Sequence, residues 1–168
     1  MKKYILDTNI YINFYERYYN IDYFPSFWQN ISPILNKHVI VPEIIISENY
    51  QDKWFKDWLE TNYKEDIINH KLYASDWTKV LQHVSLSTMY RNDALTSDKG
   101  WAKESIADPW IIAIALAENY TIVTNERKNN GLNSKNPSKS VKIPDICQDL
   151  NVKCIDMLGF FKDVNLSV

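Results

Sequence analysis

Four acidic residues stand where the chain's punctuation would bring their carboxylates together. Asp7 closes a short apolar run over residues 3–6, and Glu126 closes a second over 120–123 after Thr124 and Asn125. Asp108 precedes Pro109 at the start of an apolar helical run, and Glu48 lies in the first turns of a helical pattern opened by Pro42. In open parallel sheets, ligands bind beyond the carboxyl ends of the strands, and helices that follow strands start on that same edge. Asp7, Glu48, Asp108 and Glu126 can therefore share one cavity. Carboxylates packed together repel and are protonated unless a cation joins them. Oxygen-only ligation suits a hard divalent ion, Mg²⁺ or Mn²⁺. Two such ions, roughly 3.5–4 Å apart, would activate water and steady the leaving oxygen in phosphodiester cleavage.

Each acid also has an ordinary structural reading. Asp7-Thr8 and Asp108-Pro109 match helix-cap dipeptides. Glu48 fits a solvated helix face, and Glu126-Arg127 an exposed turn pair. Glu43 competes with Glu48 but is better placed as a first-turn charge favoured by the helix dipole. The spacing of the four is not specific by itself.

The elements that must position them alternate between strand and helix. Residues 3–6, 38–41, 120–123 and 152–155 read as short strands. Residues 10–19, the stretch entered at Pro25 or Ser26, the run from 108, residues 143–147 with Pro144 in the first turn, and residues 157–164 read as helices. Ile46, Tyr50, Trp54 and Trp58 recur every fourth residue and predict one continuous helix beyond Pro42. Residues 61–103 are less legible, with a helical pattern at Trp77, Val80, Leu81 and Val84 and a polar, acidic loop over 92–99. Alternation of this kind predicts an α/β fold with a mostly parallel sheet, in one domain spanning residues 1–168.

Composition agrees with a folded domain. Hydrophobic residues make up 45% and charged residues 24% of the 168. Aromatics reach 14%, several at helical spacing that suggests a core role. The two cysteines, Cys147 and Cys154, are too few for a disulfide framework and have no zinc-ligand spacing, so reduced, partly buried thiols are expected. No apolar run is long enough for a signal peptide or a membrane span, so a cytoplasmic location is expected. The net charge of -2 announces no nucleic-acid binder. Its distribution is more informative. Residues 127–142 carry Arg127, Lys128, Lys135, Lys139 and Lys142 and no acid, whereas the rest of the chain carries 14 basic against 21 acidic residues. A basic loop directly after Glu126 could guide an RNA backbone across an acidic metal site through Arg127, Lys128, Lys135 and Lys139. It could equally be a solvated loop.

Three segments carry a family resemblance. Ile5-Leu6-Asp7-Thr8-Asn9 resembles the opening strand motif of PIN domains. Ala107-Asp108-Pro109-Trp110-Ile111-Ile112-Ala113 resembles their third-acid helix, and Thr121-Ile122-Val123-Thr124-Asn125-Glu126 their fourth motif. The chain is further similar to a PIN-like branch that combines a Phe-Pro-Ser-x-Trp segment, here Phe24 to Trp28, with a late Lys-Ile-Pro-Asp-x-Cys segment, here Lys142 to Cys147. Together with the closing strand, the resemblance covers nearly the whole chain. It implies a three-layer α/β/α fold with a central parallel sheet. It also implies a metal-dependent endoribonuclease, often the toxin of a bacterial toxin–antitoxin pair, with an antitoxin protein as partner and room for a homodimer. Asp7, Glu48 and Asp108 then become metal-holding acids, with Glu126 as a fourth, and Thr8, Asn9, Thr124 and Asn125 the polar groups behind them. The chain departs from many PIN enzymes in having Glu126 where they have Asp, one methylene longer.

Two other classes compete with this reading. A PIN-like scaffold that binds nucleic acid or a partner protein without cutting is compatible with the aromatic surplus and the near-neutral charge. A phosphotransferase using a strand-end Asp is not: a haloacid-dehalogenase-like site wants a second Asp where Asn9 stands, and a receiver domain wants an acidic neighbour that Asp7 lacks. No Gly-x-Ser-x-Gly elbow supports hydrolase chemistry of the serine type.

Overall fold

Three short segments form the sheet, two of them buried throughout and the third half-buried, and their mostly apolar residues suit parallel strands covered by helices. In the computed structural model, which describes residues 1–48 and 52–168, these are β1 (Tyr4–Leu6), β2 (Thr121–Val123) and β3 (Cys154–Ile155). They lie in the order β1-β2-β3, all parallel, with Leu6 opposite Val123 and Val123 opposite Ile155. This α/β arrangement with a parallel sheet matches the expectation from alternation.

The sheet is continued beyond β1 by single bridges, Tyr4 to Val39 and Pro42 to Ile68, both parallel. Residues 38–41, expected as a strand, therefore form isolated bridge contacts and not a full strand, the Val41 carbonyl accepting the Ile68 N–H at 3.0 Å. The preceding helix α2 (Pro25–His38) runs to His38 and consumes the first of them. Ile40 N–H still donates to the Tyr4 carbonyl at 2.8 Å.

The expected helix over 10–19 is divided. α1 (Thr8–Ile12) passes directly into a π-helical stretch, Asn13–Tyr18. The single helix expected beyond Pro42 is likewise two: α3 (Glu43–Glu48) and α4 (Lys53–Asn62), the latter started by Asp52, whose side chain accepts the Phe55 N–H at 2.7 Å. Tyr50 lies outside the described residues. The buried residues here are Ile44, Ile45, Phe55 and Leu59, not the every-fourth stripe. Trp54 and Trp58 from that stripe instead pack edge-on against Trp28, at 4.9 and 4.8 Å between ring centres. Their spacing reflects an aromatic cluster rather than a continuous core face.

Residues 61–103, hard to read, hold a 3₁₀ turn (His70–Tyr73), α5 (Ala74–Leu86) and a short α6 (Asp93–Thr96) inside the expected polar loop. The helix from Asp108 is α7 (Ala107–Glu118), buried from Pro109 through Ala115 on every side. A helix apolar all round belongs in the interior, and α7 packs against α5, α3 and β2. It ends on Asn119 in the left-handed conformation, φ 57°, which turns the chain into β2. α8 (Ile143–Asp149) has Pro144 in its first turn, and α7 packs against it as well. α9 (Met157–Asp163) closes the fold, its Asp156 cap accepting the Gly159 N–H at 2.7 Å. Among the described residues, no helix is long and apolar enough to cross a membrane.

Candidate functional site

The register fixes the first relationship. Because Leu6 pairs with Val123, the next residues, Asp7 and Thr124, emerge side by side at the carboxyl edge. Asp7 N–H donates to the Val123 carbonyl at 2.9 Å, and the Thr124 hydroxyl donates to Asp7 Oδ2 at 2.9 Å. Asp7 sits at the cap position of α1, where the Asn9 backbone N–H acts on its carboxylate only as the smallest of the influences on its pKa. Its carboxylate is only 3% exposed. Burial pushes its pKa up to about 6; the Thr124 hydroxyl works against this, and the charges of Glu126 and Glu48 add to it.

Asp108 reaches the same place from α7. It lies in the first turn, offers no capping bond, and accepts no hydrogen bond among the described residues. Burial raises its pKa well above the carboxylate range, and the charges of Asp7, Glu126 and Glu48 raise it further, with Lys142 opposing. The two aspartates, 101 positions apart in sequence, feel one another.

Glu48 is held differently. Its Oε2 accepts from the Thr8 hydroxyl, and its Oε1 accepts the Ala107 N–H at 2.9 Å. Both oxygens are engaged, one of them at the start of the helix that carries Asp108. Glu126 is also engaged: Oε2 accepts the Ile143 N–H at 2.8 Å at the start of α8, and Oε1 lies 4.0 Å from Lys142 Nζ. Asn125 accepts the Met157 N–H at 3.0 Å at the start of α9. The segment after β2 thus fastens Asp7, α9 and α8 with three successive side chains. The expectation that Thr8 and Thr124 stand behind the acids corresponds to these bonds. Asn9 is exposed beside them.

Asp7, Thr8, Asn9, Glu48 and Asp108 line one open cleft of about 560 Å³. Glu126 does not. It borders a neighbouring cleft of about 350 Å³ with Thr124, Lys128, Gln148, Cys154 and Asp156. Its carboxylate reaches the α8 backbone instead. Among the described residues, no three His, Cys, Asp or Glu side chains are already arranged to hold a metal ion. Of the four acids, Asp108 is the one that accepts no hydrogen bond among the described residues, while Asp7 accepts the Thr124 hydroxyl.

Basic and aromatic residues line the first cleft as well: Lys99, Trp101 and Lys139. Lys139 belongs to the basic loop. Lys99 comes from the stretch read only as polar and acidic, and sequence reasoning missed it. The signal was weak, since Lys99 follows Asp98 and pairs with nothing in sequence. The loop's remaining cations divide. Lys128 donates to Gln148 at 2.5 Å on the second cleft, and Arg127 and Lys135 are exposed away from the first. The loop is built, not merely solvated. Asn129 and Asn133 side chains accept from Gly131, Lys135 and Asn136 N–H groups, and Ser138 bridges Tyr90.

Cys147 and Cys154 are both free thiols. They meet through a hydrogen bond that keeps the Cys147 proton in place and favours the Cys154 thiolate.

A family model described as "Domain of unknown function (DUF4411)" matches residues 4–168, and the chain belongs to that family. No curated protein and no solved structure matches it.

Proposed function

We propose that this member of the DUF4411 family is a divalent-metal-dependent endoribonuclease with a three-layer, PIN-like fold, acting in the cytoplasm as the toxin of a toxin–antitoxin pair. The observation that carries the reading is the convergence of Asp7, which is buried, and Asp108, whose proton is held more tightly by the Asp7 charge, on a cleft that Lys99 and Lys139 also line.

The donor chemistry fits a hard cation. Mg²⁺ is commonly held by one or two carboxylates with water completing its shell, so a preformed cage of three side chains is not required. Asp7 and Asp108 would hold it, and its charge would offset the burial, and the lesser repulsion, that raise both pKa values. When bound, such an ion supplies an activated water and a counter-charge for the leaving oxygen. The chain's own residues do the rest. The Thr124 hydroxyl orients Asp7, Glu48 ties the start of α7 to Thr8 and so sets Asp108, and Lys99 with Lys139 offers two cations to a phosphate backbone. Trp101 is largely buried in the wall, giving an apolar surface beside the lysines.

One observation favours a second reading, a module that binds nucleic acid or a partner without cutting. Glu48 and Glu126 spend their oxygens on helix starts rather than on the cleft. The two readings separate in one experiment. Wild type and Asp7→Asn are incubated with mixed-sequence RNA and Mg²⁺ or Mn²⁺, with and without chelator. The nuclease reading expects cleavage by wild type alone and none with chelator. Equal cleavage by both proteins, or cleavage that survives chelation, rejects it; RNA binding without any cleavage supports the module.

A further inference from the structure

The proposed chemistry of the acidic cleft uses neither cysteine, yet the fold brings the two together. α8 carries Cys147, and β3 carries Cys154 seven positions later. Between them the chain makes a tight turn. Asn151 takes the left-handed conformation, φ 56°, and the Val152 N–H donates to the Cys147 carbonyl at 2.8 Å. β3 then packs against α8. The two side chains meet there, with the Cys147 thiol donating to the Cys154 sulfur.

The two thiols differ in access. Cys147 is fully buried. Cys154 is half-buried and lines the second cleft, about 350 Å³, together with Glu126, Lys128 and Gln148. The hydrogen bond from Cys147 favours the Cys154 thiolate; burial and the charges of Asp7 and Glu126 oppose it, and the Lys128 ammonium supports it. The thiolate is the nucleophilic form, and reactive cysteines combine access with a nearby cation. Oxidant-sensitive thiols commonly have a second thiol within reach that resolves the first product. Here the sealed Cys147 stands behind the Cys154 that borders the cleft.

We propose that Cys154 is a site of oxidation by small hydroperoxides and Cys147 its resolving partner, so that a two-electron oxidant closes a reversible disulfide between α8 and β3. The Cys154 thiolate attacks one peroxide oxygen and the O–O bond breaks. The sulfur is oxidised to a sulfenic acid, and the other oxygen leaves as hydroxide, which takes up a proton to become water. Cys147 sulfur then attacks Cys154 sulfur. The S–S bond forms, the S–O bond breaks, and the sulfenic oxygen leaves with the Cys147 proton as a second water. One peroxide and two thiols thus give one disulfide and two waters. Two thiols of an external reductant reverse the change by exchange. The proposal does not depend on RNA cleavage or on a metal ion.

The reduced full-length protein, freed of reductant, is treated with a small excess of hydrogen peroxide and blocked with iodoacetamide. Trypsin cuts after Lys142, Lys153 and Lys162, so the disulfide joins two peptides that mass spectrometry identifies without reduction. The expected product is a monomer with this linked pair, returned to two free thiols by dithiothreitol. Cys147→Ser should give no linked pair and should instead yield a Cys154 sulfenic acid trapped by dimedone. Cys154→Ser should consume peroxide about tenfold more slowly or worse, since only the buried thiol remains. Wild type alone decides the main point, whatever the variants do. Covalent dimers as the main product, oxidation that dithiothreitol does not reverse, or peroxide consumption by Cys154→Ser at the wild-type rate would each overturn the proposal. With metal and RNA both absent, neither this result nor that of the nuclease experiment determines the other.

Discussion

The Ala107 N–H donates to Glu48 Oε1 at 2.9 Å, joining residues 59 positions apart. Ala107 opens α7, where backbone donors have no helical partner. Glu48 therefore supplies an outside cap to the helix that carries Asp108. Removing it with Glu48→Ala should cost about 1–2 kcal/mol, the range for lost helix caps. Glu48→Gln retains an acceptor and should cost less. Urea unfolding of the metal-free proteins checks this order. Equal stability of the alanine variant and wild type would mean the bond contributes nothing.

Asp7 should make the metal-free protein less stable as pH rises. Its folded pKa is about 6 against an ordinary 3.8, so the folded state holds the proton more tightly than the unfolded chain. The corresponding stability is fully present below 3.8 and lost as pH climbs through about 6. A shift of that size corresponds to at most about 3 kcal/mol. Asp108 acts in the same direction. Asp7→Asn, neutral at every pH, should flatten the profile and be more stable than wild type at pH 8 in the presence of chelator. A wild-type profile that is flat between pH 4 and 8 would contradict the burial of these charges.

A divalent cation should reverse that loss. An ion that binds the folded protein alone raises its stability according to concentration over affinity. Mn²⁺ should thus raise the Tm of wild type at pH 8, above the Asp7 pKa of about 6, and far less at pH 5. Asp7→Asn and Asp108→Asn should show little response. A rise of equal size in both variants would place the ion elsewhere.

The placement of Asp7 and Asp108 was legible because strand ends and helix starts are marked locally, by the apolar run at residues 3–6 and by Asp108-Pro109. Parallel alternation then puts both on one edge. The roles of Glu48 and Glu126 were not legible. Whether a glutamate faces a cleft or reaches a backbone N–H depends on where a distant helix begins, and nothing near Glu48 in sequence points to Ala107. The stripe at Ile46, Trp54 and Trp58 misled for a related reason. A four-residue period fits one helix, but Asp52 restarts the chain in extended conformation, and the tryptophans find Trp28 instead. Lys99 escaped notice because its importance comes only from the cleft it faces.

The basic loop yields the last prediction. Its five cations looked equivalent in sequence, but the structure separates them. Lys139 and Lys99 both line the cleft that holds Asp7 and Asp108, whereas Lys135 is exposed away from it and Lys128 is tied to Gln148 on the neighbouring cleft. If RNA crosses the acidic cleft, Lys99 and Lys139 should carry its phosphate contacts. Each contact to a single strand should add about 0.7 to the slope of log affinity against log salt. Lys99→Gln with Lys139→Gln should therefore reduce that slope by about 1.4. Lys135→Gln should leave it nearly unchanged, and Lys128→Gln should have an intermediate or small effect. Binding would be measured at several salt concentrations with chelator present, so that no RNA is cut. At saturating RNA and restored metal, the cleavage rate of the double variant should change little, because Asp7 and Asp108 are untouched. A slope that falls for Lys135→Gln but not for Lys99→Gln with Lys139→Gln would send the RNA path over the outer face of the loop, away from the two aspartates.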